Sequence, residues 1–149
     1  MVCEGWLAMM YSILCLALLG NTDFKHKMTD LELAIWQVES SQQVGPIWGD
    51  FVDGLATSCG PFQVSKNYFI DSKQPGKWPD AVFELESSVM CFRSYMHRWG
   101  YRIPDGMSFE EGASRLHNGG PNCFKATGQK KKNLDQYWSK VQKVLKGNK

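Results

Sequence analysis

Cysteine, histidine and long apolar runs are scarce over most of this 149-residue chain, and each scarcity excludes a class of function. Beyond residue 20 the cysteines are Cys59, Cys91 and Cys123, and no two of them have the short spacing of a zinc-ligand pair. The histidines, His26, His97 and His117, are scattered singles, so no metal or other cofactor is expected. Past residue 20 no stretch is apolar and long enough to cross a bilayer. There is no internal repeat, and low-complexity sequence is limited to one lysine run. No nucleic-acid fold motif is present, so nucleic acid is not an expected partner. What remains is a chain that is 43% hydrophobic, long enough for one compact domain and too short for two ordinary ones.

The one uninterrupted apolar run is "WLAMMYSILCLALLG", residues 6–20, which begins almost at the N-terminus and ends in a small residue before "NTDF". It reads as a signal peptide, residues 1–20, with cleavage expected after Gly20. Residues 21–149 then form a single domain, expected to be secreted, extracellular and monomeric, with no membrane association after cleavage. Cleavage removes one of the 15 acidic residues, Glu4, and none of the 17 basic ones, raising the formal net charge from +2 to +3. Export also makes disulfides permissible: three cysteines allow one bridge, chosen from three possible pairs, and leave one thiol over.

Hydrophobic periodicity gives the element order. Thr29 and Glu32 have the spacing of a capping box, and Leu31, Ile35 and Val38 recur behind them at helical intervals, which starts a first helix. "VGPIWGDFVDGLATSCGPFQVS" mixes Gly, Pro and Asp with short apolar pieces and reads as a small β-hairpin or irregular sheet. "NYFIDS" suggests a short helical turn. From Ala81 to Trp99 the positions Leu85, Val89, Phe92 and Met96 mark the central, best-buried helix. Ser108 and Glu111 form a second capping-box pattern, with Gly119 or Gly120 where that helix stops. Asn133 is placed to cap a last helix carrying Leu134, Trp138, Val141 and Leu145. The fold class expected from this order is α+β, mostly helical, with a small β-hairpin between the first helix and the rest.

Glu39 sits four residues after Ile35, at the edge of the first helix's apolar face. An ordinary solvated Glu explains that position; so does a partly dry carboxyl able to keep a proton for general acid catalysis. Cleavage of a glycosidic bond needs such an acid together with a second, ionised carboxylate. Asp53, in the polar, Gly-rich "DGLATSCG", suits the ionised partner, and Asp50 is an open alternative by spacing alone.

The ordered motifs "QVES", "SCGPFQV" followed by "YFID", "CFRSYMHRW", "HNGGPNC" and "YWSKV" resemble those of the invertebrate-type lysozymes, also called the destabilase family. The resemblance runs from about Leu31 to Val141, and it implies a lysozyme-like fold and cleavage of the β-1,4 bond between N-acetylmuramic acid and N-acetylglucosamine in bacterial peptidoglycan. By that resemblance Glu39 is the proton donor and Asp53 the nucleophile or charge stabiliser. Substrate contacts implied are Tyr68, Phe69 and Asp71 after the S-C-G motif, His117, Asn118 and Gly119 in the H-N-G turn, and Tyr95 on the central helix. The basic residues of "QKKKN", residues 129–133, and of the C-terminal stretch read as a solvated loop and helix face, or as an attraction for an anionic wall surface.

The chain departs from the family at specific places. Family cysteines around the catalytic Glu are replaced by Leu31, Ala34, Trp36 and Gln42, which removes a set of crosslinks. The family's D-x-G-S-L-S-C reads "DGLATSC" here, moving the glycine by one, and a lysine after the F-Q-I motif is replaced by Ser65, with Lys66 displaced by one. Two alternatives follow: a wall-binding relative with weakened turnover, and an isopeptidase of the destabilase type using Ser58 as an activated nucleophile.

Overall fold

The computed structural model describes residues 24, 25 and 27–147; the expected signal peptide and its cleavage site lie outside the described residues. Within them the chain forms α1 (Asp30–Ser40), a hairpin of β1 (Phe51–Val52) and β2 (Leu55–Ala56), α2 (Lys66–Ser72), α3 (Leu85–Trp99), α4 (Phe109–Gly119) and α5 (Gly128–Gly147), with short 3₁₀ turns between the later helices. This is the expected α+β, mostly helical, lysozyme-like arrangement.

Helix α1 begins with a reciprocal cap. Thr29 Oγ1 accepts from the Glu32 N–H at 3.2 Å while Glu32 Oε2 accepts from the Thr29 N–H at 2.8 Å. Glu32 does more than cap: it is only 3% exposed and meets Arg93 of α3 through two bonds, Nε to Oε1 at 2.6 Å and Nη2 to Oε2 at 2.9 Å. That fork ties α1 to α3. At its other end α1 is stopped by Ser41 and Gln42, both in left-handed conformation with φ of 54° and 59°. The Ser40 hydroxyl then donates to the Pro61 carbonyl at 2.9 Å and so anchors the end of α1 to the "SCGPFQ" loop.

Helix α3 buries Leu85, Val89, Phe92 and Met96, the positions its periodicity marks. It starts at Leu85 rather than Ala81, because Asp80–Val82 winds as a 3₁₀ turn. The Val82 carbonyl then accepts from Ser88 Oγ at 2.7 Å and crowds Gly60, whose φ of +78° and lack of Cβ let the two segments touch. Helix α5 packs on both α1 and α4, and α2 packs on α3.

Four sequence expectations are corrected. Helix α5 starts at Gly128, five residues before Asn133, so the lysine run lies in its exposed first turns, as lysine's good helix propensity allows. Asn133 Oδ1 accepts from Gln129 Nε2 on the same helix. Ser108 caps α4 through the Glu111 N–H, but Glu111 does not complete a reciprocal box; its carboxylate accepts two bonds from Arg115 instead. The expected disulfide is absent, for Cys59, Cys91 and Cys123 are all free and buried. Each thiol is packed on its own element, Cys59 in the bridge between Trp48 and Val64, Cys91 on α3 and Cys123 in the turn after α4. The fourth correction, the start of α3, is the one given above.

Packing occupies the places of the missing crosslinks. Leu31, Ala34 and Trp36, which stand where the family has cysteines, are 6%, 0% and 6% exposed and belong to one core with Val89, Leu116 and Val141. Burying a side chain such as Leu31 contributes about 1.5–3 kcal/mol.

Candidate active site

Each of the five helices sends one side chain to a single cluster. Glu39 lies in the last turn of α1, Tyr68 on α2, Tyr95 on α3, His117 in the last turn of α4 and Tyr137 on α5. Glu39 Oε1 accepts from Tyr137 Oη at 2.6 Å and lies 3.3 Å from His117 Nε2. On its other side, His117 Nδ1 is 3.1 Å from Tyr68 Oη. With the proton on Nε2, the Tyr68 hydroxyl donates to Nδ1 and the imidazole N–H lies beside the Glu39 carboxylate. Tyr68 is stacked in turn on Tyr95, ring centroids 3.7 Å apart and planes 10° from parallel.

The cluster is dry but open at one end. The Glu39 side chain keeps 15% of its surface exposed, against 3% for His117. Burial pushes the Tyr68 and Tyr137 phenols well above their usual range; at Tyr137 the neighbouring Glu39 carboxylate adds to the effect. Tyr95 is pushed up to about 12, by burial first and then by Asp71. All three therefore stay un-ionised hydrogen-bond donors at neutral pH.

Local sequence explains the placement. Ser65 caps α2 by accepting from the Tyr68 N–H at 3.3 Å, so the residue standing where the family has a lysine fixes the helix that presents Tyr68. Arg115 links α4 to α5 by bonding both Glu111 and, at 2.8 Å, Asp135, which holds the helices of His117 and Tyr137 in register.

Of the residues named from sequence, Glu39, Tyr68, Tyr95 and His117 are brought together. Asp53 stands apart on the exposed turn of the hairpin, where Asp53 and Gly54 have φ of 51° and 77°, the pattern of a two-residue type I′ turn. Asp50, also exposed, precedes β1 and offers its carbonyl to the Thr57 N–H and hydroxyl. Asp71 approaches Arg98 at 4.0 Å, and Asn118 is exposed beside His117. Phe69 is buried in the core, and a Cβ on Gly119 would collide with Leu134 and Cys123, so both positions serve packing. Tyr137 was missed; the only sequence signal for it is the "YW" of the last motif. Among the described residues no cluster of His, Cys, Asp or Glu could hold a metal ion.

Comparison with known proteins decides the family. The destabilase model matches residues 50–144, which include Asp53, Tyr68, Tyr95, His117 and Tyr137 but not Glu39. This chain belongs to the invertebrate-type lysozyme, or destabilase, family. A lysozyme of Ostrea edulis is 32% identical over 131 residues, covering 87% of this chain and 90% of that protein. An invertebrate-type lysozyme of Ruditapes philippinarum is 38% identical over 97 residues, 62% of this chain and 65% of its relative. Lysozyme 1 of Crassostrea virginica is 36% identical over 110 residues, 72% of this chain and 54% of its relative. The match to these last two therefore spans less than two thirds of their length. Among solved structures, the destabilase-family fold is shared with the crystal structure of Tapes japonica lysozyme, at a TM-score of 0.62 and 32% identity over 78% of this chain and 89% of that one.

Proposed function

We propose that this chain is a secreted lysozyme that hydrolyses the β-1,4 bond between N-acetylmuramic acid and N-acetylglucosamine in bacterial peptidoglycan. The observation that carries the reading is Glu39: a carboxyl at the end of an apolar helix, nearly dry, with Oε1 held by the Tyr137 hydroxyl and 3.3 Å from His117 Nε2. Such a group is equipped to give a proton to a leaving glycosidic oxygen. Asp53 is the nucleophile or charge stabiliser in this reading, its negative charge tolerated by an exposed turn. Tyr68, Tyr95 and His117 form the buried floor of the glycan site. Asp71 and Asn118 offer polar contacts to hydroxyl or acetamido groups, and Phe69 and Gly119 act through packing. Residues 1–20 serve as the signal peptide, and the basic face of α5 favours approach to an anionic wall.

A second reading, a wall-binding relative with little turnover, is favoured by one feature: Asp53 lies at the tip of a hairpin whose Phe51, Val52 and Leu55 are 60%, 59% and 75% exposed, in contrast to the dry setting of Glu39. The isopeptidase alternative has less support, since the Ser58 hydroxyl donates to the Gln63 carboxamide oxygen at 3.0 Å and not to a base.

The deciding experiment is clearing of a Gram-positive cell-wall suspension by mature protein, beside Glu39→Gln, Asp53→Asn and Asp50→Asn, with a pull-down of each on insoluble peptidoglycan. Clearing is expected for the parent, to be lost in Glu39→Gln and lowered about a hundredfold or more in Asp53→Asn, with Asp50→Asn close to the parent. A folded parent that binds the wall without clearing it would establish the second reading.

A further inference from the structure

The side chain closest to Glu39 comes from the other end of the chain, 98 residues away. At 2.6 Å the bond from Tyr137 Oη to Glu39 Oε1 has the length of a strong O–H···O hydrogen bond. The phenol is itself buried: Tyr137 is 7% exposed on the buried face of α5, between Leu134 and Val141. Its ring centroid lies 6.4 Å from that of His117, which approaches the same Oε1 from α4. Among the described residues, the hydrogen bond that the Glu39 side chain accepts runs to Oε1.

We infer that Tyr137 is a positioning residue for Glu39, pinning Oε1 together with His117 so that Oε2 is the oxygen that presents the proton to the substrate. The inference rests on the reading of Glu39 as the proton donor. A carboxyl group can turn about its Cγ–Cδ bond and offer either oxygen. With the Tyr137 hydroxyl donating to Oε1, a proton on that oxygen would weaken it as an acceptor, whereas a proton on Oε2 leaves the bond intact. Tyr137 remains a donor throughout the working range, because burial and the adjacent carboxylate both resist its ionisation. The groups facing Glu39 are Tyr137 from α5, His117 from α4 and, behind His117, Tyr68 from α2 with Tyr95 of α3 stacked on it. The last turn of α1 carries no basic residue.

The test is Tyr137→Phe, which keeps the ring and removes the hydroxyl, measured beside the parent and Glu39→Gln. Wall binding and melting temperature are expected to stay near the parent's. On soluble peptidoglycan fragments kcat should fall about ten- to a hundredfold with little change in KM. In parallel, the ¹³Cδ signal of Glu39, recorded by NMR at one pH, should move in Tyr137→Phe as the hydrogen bond to Oε1 is lost. A folded Tyr137→Phe with the parent's kcat and Glu39 signal overturns the inference. If Glu39→Gln clears walls as the parent does, the proton-donor reading itself fails. If the parent does not turn over at all, the NMR signal still decides: a moved Glu39 resonance supports control of Glu39 by Tyr137, and an unmoved one overturns it.

Discussion

His117 joins Glu39 to Tyr68, with Nε2 3.3 Å from the carboxylate and Nδ1 3.1 Å from the phenol, so one imidazole bridges groups delivered by α1 and α2 from its own place on α4. The ring is held in place by edge contacts with Phe62, Phe92 and Tyr68, at centroid distances of 6.1, 5.7 and 5.3 Å. Aromatic packing here fixes the direction of polar bonds, which a flexible side chain could not maintain.

The close approach of α4 and α5 depends on Gly119. A Cβ at that position would lie 2.6 Å from Leu134 Cδ2 and 2.8 Å from Cys123 Cβ. Overpacking of this kind costs about 1–3 kcal/mol, offset by up to about 1 kcal/mol from alanine's better helix propensity. Gly119→Ala is therefore expected to lower unfolding stability by roughly 1–2 kcal/mol in urea titrations. A variant as stable as the parent would mean that Leu134 and the turn of Cys123 yield freely.

The domain of residues 21–149 should behave as a disulfide-free protein. Its three thiols, Cys59, Cys91 and Cys123, are buried and free. A thiol reagent is expected to find almost none in the native domain and all three after denaturation. Added reductant should leave the melting temperature unchanged. A melting temperature that drops in reductant would reveal a crosslink.

Alkaline pH should unfold the protein earlier than its carboxylates would suggest. The Cys59 thiol is pushed up from 9.0 to about 11, by burial first and by Asp80 second, and Tyr95 from 10.0 to about 12, chiefly by burial. The folded state holds these protons more tightly than the unfolded chain does, so stability falls as pH rises. Their contribution is full below about pH 9 and is lost between pH 9 and 11 for Cys59 and between pH 10 and 12 for Tyr95. Urea midpoints at pH 7, 9 and 10.5 are expected to be level between the first two and clearly lower at the third. A level series through pH 10.5 would contradict the burial of these groups.

Local rules made much of the helical scaffold legible. Thr29 and Glu32 satisfy each other's backbone donors within four residues, and Leu85, Val89, Phe92 and Met96 report one buried face, so α1 and the body of α3 could be read without any partner. The Asp-Gly pair likewise carries the hairpin, because its turn needs positive φ at both positions. Local reading failed where one group has two possible partners. Glu111 could complete a box with Ser108 but is claimed by Arg115, and the cysteines could pair but each is free and packed into the core.

The sequence by itself determined the element order, the family motifs and the identity of Glu39 as a carboxyl at the edge of an apolar face, because caps and periodicity act over a few residues. Only the tertiary structure decided what surrounds that carboxyl. The packing of α5 on both α1 and α4 carries Tyr137 and His117 to the same oxygen, across 98 and 78 residues of chain. No short-range pattern encodes such a meeting, since it arises from how separate apolar faces are buried together.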